Sequence, residues 1–309
     1  MIAEGLIALL GAGVLLAVAI AVPWLKFVLT IALAKGIAVL GILLLLRAGQ
    51  VSFGHAMFLA TGAYTVAFLA PAMPEALLLI PLGGLFAGLL GLLVGLFVVR
   101  YRDIFFGMLN LAISMVLYSL LEKLYHLTKG TDGIRVARAT YAGFDLPRET
   151  QEWLMFAIAL GLAALFGTLV AAYLRSPMGR ALAGIKTRET RLEFLGVSAR
   201  RVLLFAYVAS AVMGGIAGTL VALTTRHVTP LLGYWTSSGE LVFIAILGGA
   251  GSAVGAFLGA VAFELVRVYA AASVADAWQM ILGGVLLLVI LFAPGGLWGI
   301  LAGRLKVRA

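Results

Sequence analysis

Glycine and polar residues interrupt the apolar sequence at two places, which are the first candidates for a functional site. One break covers residues 47–55 and the other covers residues 248–252, while Asn110 lies inside a further apolar run at 104–121. Unwound backbone at membrane depth is tolerated only where protein buries it or where it lines a cavity. Polar residues within a membrane are energetically costly, so their presence indicates a functional site. The breaks therefore predict a translocation path. Its candidate residues are Gln50, Ser52, His55, Asn110, Gly248, Gly249 and Gly251.

The sequence contains no recognisable catalytic or metal-binding motif. No lysine follows a glycine, as a Walker A loop requires, and no Gly-x-Ser-x-Gly elbow is present. The three histidines, His55, His126 and His227, are far apart, and there is no cysteine. We therefore predict no catalytic residue, no metal ion and no cofactor in this chain. Active transport would need a partner or an ion gradient as its energy source.

The segment 175–201 is the most informative connection between apolar runs. It holds seven basic residues against Glu189 and Glu193, which makes it the strongest cytoplasmic candidate. Residues 187–195 are charged and amphipathic and precede Gly196, which predicts a short helix with glycine just after its end. The alternatives are a docking helix for a partner and a solvated loop. The residues of the predicted docking helix are Arg188, Glu189, Leu192, Glu193, Phe194, Leu195 and Gly196.

The composition defines the elements that must position these residues. Of 309 residues, 63% are hydrophobic, 11% are charged and 38 are glycine, whereas about a quarter of a soluble domain is charged. A soluble enzyme and a nucleic-acid-binding protein are excluded. We predict an all-α polytopic membrane protein forming one domain over 1–309, with about 8–10 membrane segments that include broken or re-entrant helices. The apolar segments lie near 5–25, 27–46, 56–70, 76–99, 104–121, 153–174, 202–225, 240–270 and 277–293.

Charge in the connecting segments predicts their orientation. The loop 122–152 has five basic and five acidic residues, so it should lie outside if 175–201 lies in the cytoplasm. The basic tail at 304–308 also favours the cytoplasm. That side requires an even number of crossings within 240–270, so we predict that this segment enters, turns at its glycine break and leaves on the same side.

Small and charged residues within the spans predict how the helices pack. Ion pairing at i,i+3 is expected for Glu264 and Arg267. The spans contain too few carboxylates for a proton relay, which argues against a proton-coupled secondary transporter. Glycines at four-residue spacing predict close helix contacts. They are the pairs Gly84–Gly88, Gly91–Gly95 and Gly214–Gly218 and the series Gly251–Gly255–Gly259.

Five blocks in order along the chain resemble the LivM-type permeases of branched-chain amino acid ABC importers. One includes the sequence Thr131-Asp132-Gly133 and another resembles the family's variant of the EAA loop, the contact with the ATPase subunits. Lys129 stands where glycine is common, and Arg191-Leu192 replaces alanines. The blocks are 49–56 with 62–64, 106–112 with 127–134, 176–182 with 193–196, 245–252, and 292–297.

The resemblance implies a heteromeric importer in the bacterial inner membrane. Its parts would be this chain, a homologous LivH-type permease, two ABC ATPase subunits that use ATP and Mg, and an extracytoplasmic substrate-binding protein. Residues Thr131, Asp132 and Gly133 would lie in the external docking loop. A urea or short-amide importer is the nearest alternative. A proton-coupled transporter and a non-transporting membrane scaffold are the alternatives from other classes.

Overall fold

The computed structural model describes residues 2–273, 277–293 and 295–306, and helices form most of this part of the chain. Two short 3₁₀ turns cover Gly130–Asp132 and Pro230–Gly233, and the two-residue strands β1 (Ile134–Arg135) and β2 (His227–Val228) pair antiparallel. The helices are α1 Ile2–Ala21, α2 Leu25–Arg47, α3 His55–Leu69, α4 Ala76–Val98, α5 Asp103–Lys123, α6 Tyr125–Thr128, α7 Arg148–Arg175, α8 Pro177–Phe194, α9 Ala199–Thr225, α10 Trp235–Gly248, α11 Ala253–Ser273, α12 Trp278–Phe292 and α13 Gly296–Lys306.

The helix lengths confirm the predicted polytopic membrane fold. Within the described residues, six helices are long and apolar enough to cross a membrane, namely α2, α4, α5, α7, α9 and α11. The pair α12 and α13, bent by 40°, adds a seventh if it forms one span. Three shorter apolar helices cover Ile7–Ala21, His55–Leu69 and Trp235–Gly248. Helix α3 follows the first break, and α10 follows the 3₁₀ turn at Pro230–Gly233.

Helices α2 and α9 form the centre of the bundle. The most apolar part of α2 is 94% buried, against 22% for α5 at the periphery. Helix α9 packs against α2, α3 and α4, and its glycines allow backbones to approach closely. A side chain at Gly62 would meet the backbone of Gly215, and one at Gly218 would meet the backbone of Leu59, so neither position has room for a side chain. The α4 glycines that face α9 are Gly83, Gly84, Gly88, Gly91 and Gly95.

The molecule has two distinct ends, which we name by their content. The basic end holds residues 47–54, 99–103 and 175–198. The second and third of these segments are joined by an ion pair of 2.7 Å between Arg102 and Glu189. The loop end holds residues 70–76, 122–147 and 226–229, where β1 pairs with β2 and the Ala76 N–H donates to the Thr140 carbonyl at 3.0 Å. The predicted inner and outer loops therefore lie at opposite ends of the bundle.

Residues 240–270 contain the predicted glycine break, and the chain turns there and leaves toward the end of the bundle from which it entered. Gly249 has φ +91° and ends α10, and α11 begins at Ala253. With 21 apolar-rich residues, α11 is long enough to span by itself. The segment therefore contains the end of a 14-residue helix, α10, which enters the bundle, and most of a helix long enough to span, α11, which returns.

The end of the chain returns toward the basic end. Helix α11 runs from the glycine break to the loop end, where the Tyr269 ring meets the edge of Trp24 with centroids 6.4 Å apart. Helix α12 leads back, and Gly296 packs against Gly249 at the start of α13. The side chains of the basic tail at 304–308 lie outside the described residues.

Candidate functional site

The first break forms a compact, buried passage from α2 to α3. Helix α2 ends at Arg47, and Gly49 then adopts φ +77°, a conformation that favours glycine. The Gln50 side chain is 3% exposed, and its Oε1 accepts a hydrogen bond of 2.8 Å from the backbone N–H of Asp103. The amide of Gln50 therefore connects the break to the first residue of α5 at the basic end.

Ser52 and His55 form the next contact along the break. Both side chains are fully buried, and Nδ1 of His55 hydrogen-bonds with Oγ of Ser52 at 3.1 Å. The other ring nitrogen of His55, Nε2, has no hydrogen-bond partner in the described part of the chain. The ring meets the edge of Phe58 with centroids 5.6 Å apart. A buried imidazole with one free nitrogen retains capacity for a further hydrogen bond.

Asn110 closes the break from the α5 side. Its Nδ2 donates to the Phe106 carbonyl at 2.8 Å, and its Oδ1 accepts a hydrogen bond from the Tyr207 hydroxyl on α9. Gly54 packs against the Asn110 backbone so closely that a side chain at residue 54 would clash. Asn110 lies seven residues after Asp103, or about 10 Å along the helix. The first break therefore runs from the basic end into the interior of the bundle, and α3 begins in that interior.

The second break is a separate cluster of backbone contacts. Gly248 packs on Gly255 and Gly259, and Gly249 packs on Gly295 and Gly296. These glycines do not meet Gln50, Ser52, His55 or Asn110 directly. The connection runs through the two short helices, because the Ala56 N–H at the start of α3 donates to Ser238 Oγ in the first turn of α10 at 2.8 Å.

The segment predicted to dock a partner is a short helix at the basic end. Helix α8 begins with Ser176 as its N-cap and is interrupted at Arg188, whose φ of −158° and ψ of 99° are not helical. The second part ends at Leu195, and Gly196 follows with φ +75°. The side chains of Phe194 and Leu195 are 92% and 77% exposed. Two large apolar side chains are thus presented to the surroundings.

Leu192, another residue of the predicted docking helix, is half-buried. Its side chain packs against Gly184 and joins the periphery of the hydrophobic core, because the interruption at Arg188 folds the last turn of α8 back over its first part. The Val197 N–H donates to the Leu192 carbonyl at 2.9 Å, which closes the helix end. Leu192 therefore supports the exposed pair Phe194 and Leu195 by its contact with the first part of α8.

Arg102 connects this helix to the first break, and the sequence analysis did not assign it a role. Its Nε and Nη2 donate to the two oxygens of Glu189 at 2.9 and 2.7 Å, and its Nη1 donates to the Tyr101 carbonyl at 2.9 Å. A cavity of about 350 Å³ lies beside this pair. Its lining includes Gly49, Gln50, Arg102, Lys186 and Glu189. The predicted docking segment and the predicted path segment therefore meet at one cavity.

Four charged side chains form a second network, within the spans. Lys35 on α2 lies 2.8 Å from Glu240 on α10 and 2.7 Å from Glu264 on α11. Glu264 also pairs with Arg267 at 2.7 Å, as the i,i+3 spacing predicted. Glu264 is 1% exposed and Lys35 is 13% exposed. The two carboxylates and two cations neutralise each other, and Lys35 ties both halves of the 235–273 segment to the central helix.

The predicted external docking residues lie at the loop end. Thr131 and Asp132 are exposed, and the Tyr125 hydroxyl donates to Asp132 at 2.9 Å. Lys129 adopts φ +59°, a left-handed conformation that favours glycine. Gly133, at φ +70°, packs on the Val228 backbone and so holds the loop against the end of α9.

Glu75 holds the far part of the same loop. Its carboxylate accepts hydrogen bonds from the backbone N–H groups of Gly143 at 3.0 Å and Ala142 at 2.7 Å, and from the Thr140 hydroxyl at 3.2 Å. These bonds, with the one from Gly143 largest, hold the pKa of Glu75 below its usual 4.5. The ionised carboxylate is therefore what stabilises the loop.

The Glu75 contact predicts an acid-sensitive loop. A carboxylate with a lowered pKa in the folded state stabilises that state above its unfolded pKa, and this stabilisation is lost as the pH falls through the folded value. We expect cleavage of residues 136–147 by an acid-active protease to accelerate below pH 4.5, after normalisation to an unstructured peptide. Glu75→Gln should show fast cleavage at every pH. An identical pH dependence in both proteins would contradict this assignment.

Comparison with known proteins identifies transport permeases as proteins similar to this chain. A family profile described as "Branched-chain amino acid transport system / permease component" matches residues 24–291. The permease protein LivM of the high-affinity branched-chain amino acid transport system is 29% identical over 286 residues in Escherichia coli K12 and 29% identical over 287 residues in Salmonella typhimurium LT2. Each match covers 84% of this chain and 66% of the relative, just under two thirds of its length.

A second type of permease matches over a shorter stretch. LivH of the same transport system in Escherichia coli K12 is 28% identical over 139 residues, which is 45% of this chain and 44% of that protein. No solved structure matches the chain.

Proposed function

The chain belongs to the family of permease components of branched-chain amino acid transport systems, and we propose that it is the membrane-spanning subunit of an ATP-driven importer. The observation that carries this proposal is the contact of Glu189 with Arg102 beside Gln50. It joins a short helix with two exposed apolar side chains to the interrupted segment inside the bundle. ATPase subunits that displace this helix would therefore also displace residues of the proposed path.

The proposed orientation follows from charge. The segment 175–201 and Arg102 are basic and lie at one end of the molecule, which supports a cytoplasmic position for the basic end in the bacterial inner membrane. The loop end then faces the periplasm, and α13 begins on the cytoplasmic side. Thr131, Asp132 and Gly133 lie where an extracytoplasmic substrate-binding protein would dock.

The proposed complex contains partners that supply what this chain lacks. Two ABC ATPase subunits bind ATP and Mg and contact Phe194 and Leu195, and a LivH-type permease supplies the other wall of the path. Among the described residues, no group of three or more histidine, aspartate or glutamate side chains is arranged to hold a metal ion. The proposal assigns ATP hydrolysis to the partner subunits and gives this chain the path and its movement.

The proposed mechanism is a movement transmitted by charge and backbone contacts. Closure of the ATPase subunits displaces the end of α8, and Glu189 carries Arg102 with it. Since Gln50 holds the N–H of Asp103 next to Arg102, the start of α5 and the break move together. Only a contact that differs between the two states shifts their equilibrium, and we assign this role to Phe194 and Leu195 against the ATPase.

Branched-chain amino acids are the proposed substrates, and urea or short amides are the alternative. The chain is reconstituted in vesicles with the partner permease, two ATPases and the binding protein. ATP-dependent accumulation of leucine, isoleucine or valine supports the proposal, whereas accumulation of urea alone favours the alternative. Accumulation without the ATPases, abolished by an uncoupler, would identify a secondary transporter. No accumulation under any condition would leave a scaffold role and contradict transport.

Substitution of the exposed helix end tests the docking assignment. In the variant Glu193→Lys, Phe194→Ala, we expect ATP-driven uptake to fall at least about tenfold, because the apolar contact and its flanking charge are both lost. Assembly and ATP binding should remain, since Phe194 is 92% exposed and supports no internal packing. Uptake, co-purification of the subunits and nucleotide binding are measured on the same preparations.

A matched control lies at the opposite end of the molecule. Met73 is also a large apolar side chain and is 42% exposed, but it belongs to the loop end. Met73→Ala should leave ATP-driven uptake within about twofold of the parent. If the double variant at 193 and 194 transports as well as Met73→Ala, the docking helix has been wrongly assigned.

A further inference from the structure

A second cavity lies at the loop end, and the proposed transport mechanism does not use it. Its volume is about 380 Å³. The first turns of α2 and α7, the last turn of α9 and the loop at 138–141 surround it. Its apolar lining comes from Phe27, Met155 and Leu223, and three arginines, Arg138, Arg148 and Arg226, contribute positive charge.

The positive charge of this cavity is only partly compensated. Glu152 is the one carboxylate among the described residues that line it, and it pairs with Arg148 at 2.9 Å. Arg226 donates to the neutral Oε1 of Gln151 at 2.8 Å. Arg138 has no ion pair or hydrogen bond in the part of the chain that the structure describes. Three guanidinium groups against one carboxylate leave a net charge of +2 at the cavity.

Neighbouring carboxylates do not supply the missing charge. Glu75 is close enough to Tyr141, a lining residue, to affect its pKa, but its oxygens accept the backbone N–H groups of Ala142 and Gly143. Because guanidinium groups stay protonated and form paired hydrogen bonds to planar or tetrahedral oxyanions, the cavity has the donors for an anion.

Aromatic residues indicate the depth of the cavity in the membrane. Trp24 and Tyr269 form an edge contact and are 52% and 56% exposed. Phe27, which lines the cavity, is 49% exposed, and the Lys26 ammonium lies 4.4 Å from the centre of the Trp153 ring. Tryptophan and tyrosine concentrate where the membrane meets water. The cavity therefore lies at the level of lipid headgroups.

We propose that this cavity binds the phosphate of an anionic phospholipid of the leaflet at the loop end. Arg138 and Arg226 donate to the phosphate oxygens, and the glycerol and first methylene groups lie against Phe27 and Met155. An acidic segment of a protein partner also carries negative charge, but it lacks the acyl chains that would pack against an apolar lining at headgroup depth. The combination of arginines with an apolar side favours the lipid.

Lipid retention by the purified full chain tests this proposal. The protein is transferred to nanodiscs of phosphatidylglycerol and phosphatidylcholine in equal amounts, released into a mild detergent, and examined by native mass spectrometry for bound lipid. We expect phosphatidylglycerol to be retained at least about threefold over phosphatidylcholine. Arg138→Gln should reduce this preference at least about twofold, and thermal unfolding with added phosphatidylglycerol should show a smaller rise in midpoint.

Arg135→Gln is the matched control, because Arg135 is exposed on the same loop and lies outside the lining of the cavity. It should retain phosphatidylglycerol like the parent. Equal retention of the two lipids, or equal behaviour of the two variants, would overturn the proposal. A midpoint rise with millimolar inorganic phosphate that matches the rise with lipid would show a free-anion site and reject the lipid. Unchanged lipid retention in Arg138→Gln, with weaker capture of the substrate-binding protein, would identify a protein contact instead.

Discussion

Reversal of one charge at the basic end is expected to uncouple the transporter. In Glu189→Arg, two guanidinium groups would face each other where Arg102 and Glu189 now share two hydrogen bonds of 2.9 and 2.7 Å. The pair is partly exposed, at 23% and 32%, so solvent screens it and stability changes by only about 1 kcal/mol. Uptake should nevertheless fall at least about tenfold, because the helix end loses its connection to the break. ATP-dependent uptake and subunit co-purification are measured together.

The exchanged pair distinguishes a lost contact from a damaged fold. Arg102→Glu combined with Glu189→Arg restores opposite charges, and we expect it to recover a substantial part of the lost uptake. Glu149→Arg, a reversal on an exposed carboxylate at the loop end, serves as the control and should transport within about twofold of the parent. If Glu189→Arg transports normally, or if the exchange recovers nothing while Arg102→Glu alone is active, the proposed connection is wrong.

Loss of the Lys35 ammonium is expected to have the largest effect on stability. Glu264 is 1% exposed and depends on Lys35 and Arg267, each at 2.7 Å. Removal of one partner from a buried ion pair leaves a poorly compensated charge and costs about 3 kcal/mol or more. Lys35→Met should therefore lower the thermal unfolding midpoint of the detergent-solubilised protein by several degrees and reduce its yield in membranes.

A second substitution within the same network separates charge from packing. In Lys35→Met with Glu264→Gln, the buried carboxylate is gone together with its partner, so the double variant should be more stable than Lys35→Met alone. Lys123→Met, at the exposed end of α5, removes a lysine without a buried partner and should leave the midpoint unchanged. A double variant that is less stable than the single one would show that Lys35 acts through packing and not through Glu264.

The sequence was sufficient to predict the helical architecture and the places where it is interrupted. Apolar runs of about 20 residues are a strong signal of spanning helices, and Gly249 and Gly49 mark the two breaks because both adopt positive φ. The short helix before Gly196 was also accessible from its charge pattern. These features depend on local sequence, which one chain shows directly.

Contacts between distant residues were not accessible in this way. Lys35 lies within an apolar run, and its partners Glu240 and Glu264 are more than 200 residues away. Arg102 follows another apolar run, and its partner Glu189 lies 87 residues later. The contact of Leu192 with Gly184 depends on the interruption at Arg188, a place where the sequence has no glycine or proline. No local pattern contains these long-range pairings.

The most direct test of the proposed transport cycle follows the first break while the proposed ATPase partners bind ATP. The chain has no cysteine, so Ser52→Cys introduces a single, nearly isosteric thiol at a fully buried position. In the assembled transporter, we expect its rate of labelling by a small thiol reagent to differ at least about tenfold between the nucleotide-free and ATP-bound states, and this difference should disappear when Glu189→Arg is added. Equal labelling rates in both states, or a difference that persists with Glu189→Arg, would contradict the proposed coupling of the ATPases to the path.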